Sequence, residues 1–82
     1  MTENEVKQIL NAEGLKCYNW FRNHDIKPNE VIIYKENDNW VVCAADERAW
    51  IVETSYAKYD NEEMAYEDFI KRVRLEKILM NG

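Results

Sequence analysis

The apolar positions of this chain change period twice, and each change marks an element. Val6, Ile9 and Leu10 recur at helical spacing, which predicts a helix over about residues 3–13 with one apolar face. Thr2-Glu3-Asn4-Glu5 ahead of them has the form of a capping box: the Thr2 hydroxyl accepts from the Glu5 amide while the Glu5 side chain reaches back. Gly14 follows as the residue that ends a helix in a left-handed conformation. Val31-Ile32-Ile33-Tyr34-Lys35 and Trp40-Val41-Val42-Cys43-Ala44-Ala45 are rich in β-branched and aromatic residues and flank the polar Glu36-Asn37-Asp38-Asn39. They predict a hairpin. Ala49 to Tyr56 reads as a third strand. The helical period then returns: Ala65, Tyr66, Phe69, Ile70 and Val73 share one face of a helix over about residues 61–79, with Asp60 and Glu63 as a second capping box.

Leu15 to Arg22 keeps two readings, a short strand or an irregular segment. Asn23-His24-Asp25 and Lys27-Pro28-Asn29-Glu30 carry turn chemistry around a lone Ile26. The order helix, strands, helix predicts an α+β fold: a small antiparallel sheet, a three-stranded meander with a fourth strand as the variant, packed by an N-terminal and a C-terminal helix. The 82 residues make one domain, 1–82. No internal repeat or low-complexity segment interrupts it.

Charge narrows the partners. The chain carries a formal −5, with −3 of it in residues 31–60. Phosphate backbones and anionic membranes repel such a surface, and basic partners are attracted to it. The run Lys71-Arg72-Val73-Arg74 does not reverse this. Glu62, Glu63, Glu67 and Asp68 fill the first half of the last helix, and Lys71, Arg72, Arg74 and Lys77 the second, an order that suits the helix dipole. Glu67–Lys71 and Asp68–Arg72 also have the spacing of pairs along one helix face. Nucleic acid and membrane are therefore not expected as partners. Two cysteines without CxxC spacing and one histidine form no convincing disulfide framework or zinc site, so no metal or cofactor is expected. The polar start Met1-Thr2-Glu3-Asn4-Glu5 is unlike a signal peptide, and no apolar run reaches membrane-spanning length. The expectation is a cytoplasmic protein with free thiols.

The stretch Asp46-Glu47-Arg48 lies between two apolar runs and has three readings. As a turn, Asp46 bonds an amide two residues on and Arg48 pairs with Asp46 or Glu47. As a recognition site, the charges sit on a rigid strand end and contact a partner. As a catalytic cluster it lacks a nearby histidine, a nucleophile elbow and a pocket, and no enzyme activity is expected. His24 reads as solvated in a turn and Cys43 as a core filler. The aromatics weigh more. Along residues 40–45, Val41, Cys43 and Ala45 face one way and Trp40, Val42 and Ala44 the other, so both sheet faces are apolar. Two helices cover only one. The other is left for a partner, for a second copy in a homodimer, or for residues 15–30 wrapping over it.

The segments "NDNWVVCAADERAWIVE" and "YDNEEMAYEDFIKRVR" together resemble a family of small bacterial proteins from polymorphic toxin systems, called immunity protein 59. The resemblance spans roughly residues 30–74 and rests on Trp40, the Asp46-Glu47-Arg48 turn, and the acidic-to-basic last helix with Ala65 and Phe69. It implies a non-catalytic protein that binds and neutralises a cognate toxin domain. Asp46, Glu47, Arg48, Trp40 and Trp50 are then the candidate partner-binding residues, with aromatics and arginine as hot spots and the acidic surface steering a basic toxin. A small regulatory or phage-related adaptor domain that binds a host protein is the alternative.

Overall fold

The Thr2 capping box forms. The Glu5 amide donates to Thr2 Oγ1 and the Thr2 amide to Glu5 Oε1, each at 3.2 Å, opening helix α1 (Glu3–Ala12). Its other end is a Schellman motif. Gly14 adopts φ +63°, its amide donates to the Asn11 carbonyl, and the Leu15 amide donates to the Leu10 carbonyl. Leu10 and Leu15, which flank that motif, are both buried in one cluster with Val6. The cap thus also sends the chain back into the core.

The computed structural model describes residues 1–81. After α1 come β1 (Tyr18–Trp20), β2 (Val31–Glu36), β3 (Asn39–Ala44), a 3-10 turn (Glu53–Ser55), β4 (Ala57–Tyr59) and α2 (Glu62–Asn81). The strands form one sheet in the order β1-β2-β3-β4. The fold is α+β, with both helices packed on the sheet. The hairpin pairs β2 with β3 from Val31 opposite Ala44 to Glu36 opposite Asn39, and Asn37 takes the left-handed conformation at its tip.

Three expectations are corrected. The sheet is mixed rather than antiparallel: the Leu15–Arg22 segment yields β1, which runs parallel to β2. The third strand is not Ala49–Tyr56. Ala45 and Ile51 make a single bridge, and the extended pairing with β3 resumes only at β4, from Trp40 opposite Tyr59 to Val42 opposite Ala57. The reason is a competing side chain. The Ser55 hydroxyl accepts from the Ala44 amide at 3.0 Å and donates to the Val52 carbonyl, so a serine stands where a strand neighbour would pair. The second helix cap is also one residue later than expected. Asn61 Oδ1 accepts from the Met64 amide at 2.9 Å, and asparagine caps as well as aspartate.

The core lies between the sheet and the helices. Ala65, Tyr66, Phe69, Ile70 and Val73 of α2 are all buried, as the periodicity requires, against Val31, Ile33 and Val42. Trp20 stacks on Tyr66 at 5.8 Å, and Phe69 meets Tyr18 and Trp20 edge-on. Burial pushes the Tyr66 hydroxyl up to about 12, with Glu62 adding to the shift. Phe69 is fully buried at the centre of this cluster. Phe69→Ala should cost about 3–5 kcal/mol, a large part of the roughly 4–12 kcal/mol that a domain of this length has. A urea titration followed by circular dichroism should show the midpoint falling steeply; an unchanged midpoint would remove Phe69 from the core.

Candidate functional site

The second face of β3 carries Cys43, with Ala45 just beyond the strand, and both are buried together with Ile32 of β2. No helix covers them. A parallel pair cannot be joined by a tight turn, because the chain must travel back along the sheet before the second strand starts. Residues 21–30 make that return for β1 and β2, and Ile26 from this loop packs on the second face, beside Tyr34 and Ile51. The loop therefore covers part of the face left open by the helices.

A buried polar network holds the loop. Glu30 is only 5% exposed. Its Oε1 accepts from the Lys27 amide at 2.9 Å and from Asn19 Nδ2 at 3.4 Å, and its Oε2 lies 2.8 Å from His24 Nε2. Asn19 Nδ2 also donates to the His24 carbonyl at 3.0 Å. His24 is thus a partner of a buried carboxylate rather than a solvated turn residue. The loop is then tied to the next one: the Asn29 amide donates to the Asp46 carbonyl, and the Ala45 amide to the Glu30 carbonyl.

The Asp46 side chain organises that second loop. Its Oδ1 accepts from the amides of Arg48 at 2.8 Å and Trp50 at 3.0 Å, while the Asp46 amide donates to the Trp50 carbonyl and the Ala49 amide to the Asp46 carbonyl. These donors, the Trp50 amide first, hold the carboxyl below its usual range. Ala49 sits at φ +64°, a left-handed conformation that costs an alanine about 1–2 kcal/mol. The outcome is an ordered turn that presents Trp50 at 72% exposure. Arg48 makes no ion pair among the described residues.

Beside this turn lies a shallow cup of about 220 Å³, lined by Arg22, Ile26, Tyr34, Cys43, Ile51 and Tyr56. Phe21 and Arg22 are both left-handed, at φ 52° and 55°. Phe21 turns into the helix-side core, and Arg22 lays its guanidinium over the Tyr34 ring, 3.7 Å from its centre. Two strained residues therefore send successive side chains to opposite layers. Burial raises the Cys43 thiol, which makes it an inert floor rather than a nucleophile.

Asp46, Glu47, Arg48 and Trp50 thus share one turn. Trp40 lies elsewhere. It sits near the far end of β3, roughly 20 Å along the strand, and packs on the helix side against Tyr66 at 5.6 Å and Phe21 at 5.8 Å. Sequence reasoning missed Arg22, Tyr34 and Tyr56 as neighbours of the turn, and Glu30 and His24 as its support. A polar Asn19 between Tyr18 and Trp20 was the signal available for the network. The basic run of α2 is largely engaged within the chain. Arg72 binds Asp68 and the Ser55 carbonyl, Arg74 binds Glu13, and Lys77 donates to the Glu13 carbonyl. No pairing closes between Glu67 and Lys71 among the described residues. No cluster of metal-ligating side chains occurs among the described residues, and no helix is long and apolar enough to cross a membrane.

No family model matches the chain, and no curated protein or solved structure is significantly similar to it.

The Asp46 clamp has a pH signature. A carboxyl whose folded value is depressed contributes stability above its unfolded value, and that stability is lost as pH falls through the folded value. The amide resonances of Arg48 and Trp50 should therefore shift together, with a midpoint below the ordinary 3.8. Asp46→Asn should abolish the shared titration. Independent midpoints for the two amides would contradict the clamp.

Proposed function

We propose that this chain is a non-catalytic immunity protein that binds and neutralises a cognate bacterial toxin domain through the face that its Asp46–Trp50 turn presents. The observation that carries the binding role is Trp50, 72% exposed yet fixed by a carboxylate-clamped turn beside an apolar cup. Large exposed aromatics on rigid supports, with arginine nearby, have the composition of interface hot spots. Preorganisation of the turn lowers the ordering cost of association. The toxin as partner rests on the resemblance of residues 30–74 to the immunity family. Neutralisation would be steric: the bound chain covers the toxin's active or substrate-binding surface. The net charge of −5 favours encounter with a basic domain, while Arg22 and Arg48 fit carboxylates at close range.

The test is co-expression with the C-terminal domain of the protein encoded immediately upstream, scoring host survival and co-purification. The wild-type chain should rescue growth and form a stoichiometric complex. Trp50→Ala should weaken the complex by about 2 kcal/mol or more, roughly thirtyfold, and Arg48→Ala by at least about 1 kcal/mol. Because both side chains are exposed, the fold should persist, as checked by circular dichroism. Toxicity without rescue would remove the immunity reading; full-strength binding by both variants would move the contact off this face.

A further inference from the structure

Arg22 brings a charge to the cup, and nothing in the cup answers it. Arg22 makes no ion pair among the described residues, and no carboxylate lines the cup. Its guanidinium lies 3.7 Å from the centre of the Tyr34 ring. Stacking of this kind occupies the flat face of the group and leaves its N–H edge for a planar anion. The backbone holds it there under strain, since Phe21 and Arg22 are both left-handed, at φ 52° and 55°, and such strain gathers at ligand clamps. The rest of the lining is largely apolar. Ile32 and Cys43 are buried, and Ile26 and Ile51 pack on them. Tyr56, 47% exposed, completes the lining.

We propose that the cup binds the C-terminal residue of a partner protein, an aliphatic residue whose side chain enters the cup and whose α-carboxylate pairs with Arg22. The proposal deepens the immunity reading and rests on it only for the identity of the partner. Charge and lining together select the chemistry. A single guanidinium beside an apolar floor fits one anionic group on an apolar body, and the net charge of −5 works against polyanions. Size selects the source. At about 220 Å³ the cup is smaller than the roughly 300–1,000 Å³ of sites that enclose a free small molecule, so its occupant must also be held by contacts outside it. Ile51 of the lining directly follows Trp50 of the clamped turn, so a bound protein reaches both. Within a protein, aspartate and glutamate side chains carry too few apolar atoms to cover Ile26, Ile32, Cys43 and Ile51. A C-terminal leucine, isoleucine or valine carries a branched side chain and a carboxylate on the same Cα.

Titration of the full chain with the N-acetylated tripeptide glycyl-glycyl-leucine, followed by the amide resonances, tests the site. The amides of Arg22, Ile26, Tyr34 and Ile51 should shift and saturate in the millimolar range, while those of α2 stay in place. The same peptide with its C-terminus amidated should bind at least about tenfold more weakly, and so should a glutamate peptide blocked at both ends, which offers only a side-chain carboxylate. Arg22→Gln should bring the acid and the amide to equal affinity, and Arg22→Lys, which keeps the charge, should retain a preference for the acid. Circular dichroism checks that both variants fold. No shift at these amides up to about 20 mM peptide, equal binding of acid and amide by the wild-type chain, or an acid preference that survives Arg22→Gln overturns the proposal. Isocaproate, which is leucine without its amino group, should bind no more tightly than the peptide; tighter binding makes the cup a small-acid site and overturns the protein occupant. Co-expression separates this proposal from the immunity reading. Rescue of the host without peptide binding leaves immunity standing and removes the C-terminal contact, whereas peptide binding without rescue keeps the contact and removes the toxin.

Discussion

A strand that is apolar on both faces sets the terms for the rest of this structure. β3 carries Trp40 and Val42 toward the helices and Cys43 toward the other side, so neither face of the sheet can be left wet without a loss of burial. The described residues form only two α-helices, and both are on the same side. The second layer must therefore be made from connections. The parallel pairing of β1 with β2 supplies one of them, since it forces a long return. The interrupted pairing after β3 supplies the other.

Connections are costly as a layer because their backbones carry polar groups that a helix would satisfy internally. Here those groups are satisfied by specific side chains. Glu30 takes an amide and an asparagine within the first loop, Asp46 takes two amides within the second, and Ser55 serves β3 itself. Left-handed Phe21, Arg22 and Ala49 add local strain, which is tolerated only where surrounding contacts over-determine the backbone. Arg22 and Tyr56 line the cup on the second face, and the clamped turn exposes Trp50 just beyond the end of β3. The helical side, by contrast, packs the partly buried Trp20 and Trp40 in an aromatic cluster with Tyr66 and Phe69. The two faces of one strand thus carry different layers, the main core under the helices and a smaller cluster under the loops.

This division explains what could be read from the chain alone. Elements whose signals are local and repeated were legible: the Thr2 capping box, the Gly14 stop, the β2–β3 hairpin and the buried face of α2 all follow from spacing. The Asp46–Trp50 turn was legible too, because an aspartate followed two residues later by its amide partner is a local motif. The cup was not, since Arg22, Tyr34, Cys43 and Tyr56 meet only after the return loop and the hairpin are in place. The third strand was misread for a different reason. Ala49 to Tyr56 has apolar residues at strand-like spacing, but a clamped turn and a serine hydroxyl competed for the backbone and won. Trp40 and Trp50 looked equivalent in the sequence, and only the register of β3 against β4 and the sheet's layering separates a partly buried residue packed on the core from an exposed one.

The central claim is that the two connecting loops form a fixed second layer, and amide hydrogen exchange in the free protein tests it most directly. The amides of Asn29, Ala45, Asp46 and Val52 stitch these loops to each other and to β3. They should exchange nearly as slowly as the central amides of β2 and β3, and Glu30→Gln should accelerate Asn29 and Ala45 before it affects α2. Exchange of all four at the rate of an unstructured loop would contradict the account, because the second face would then be uncovered and the Trp50 surface would have no rigid support.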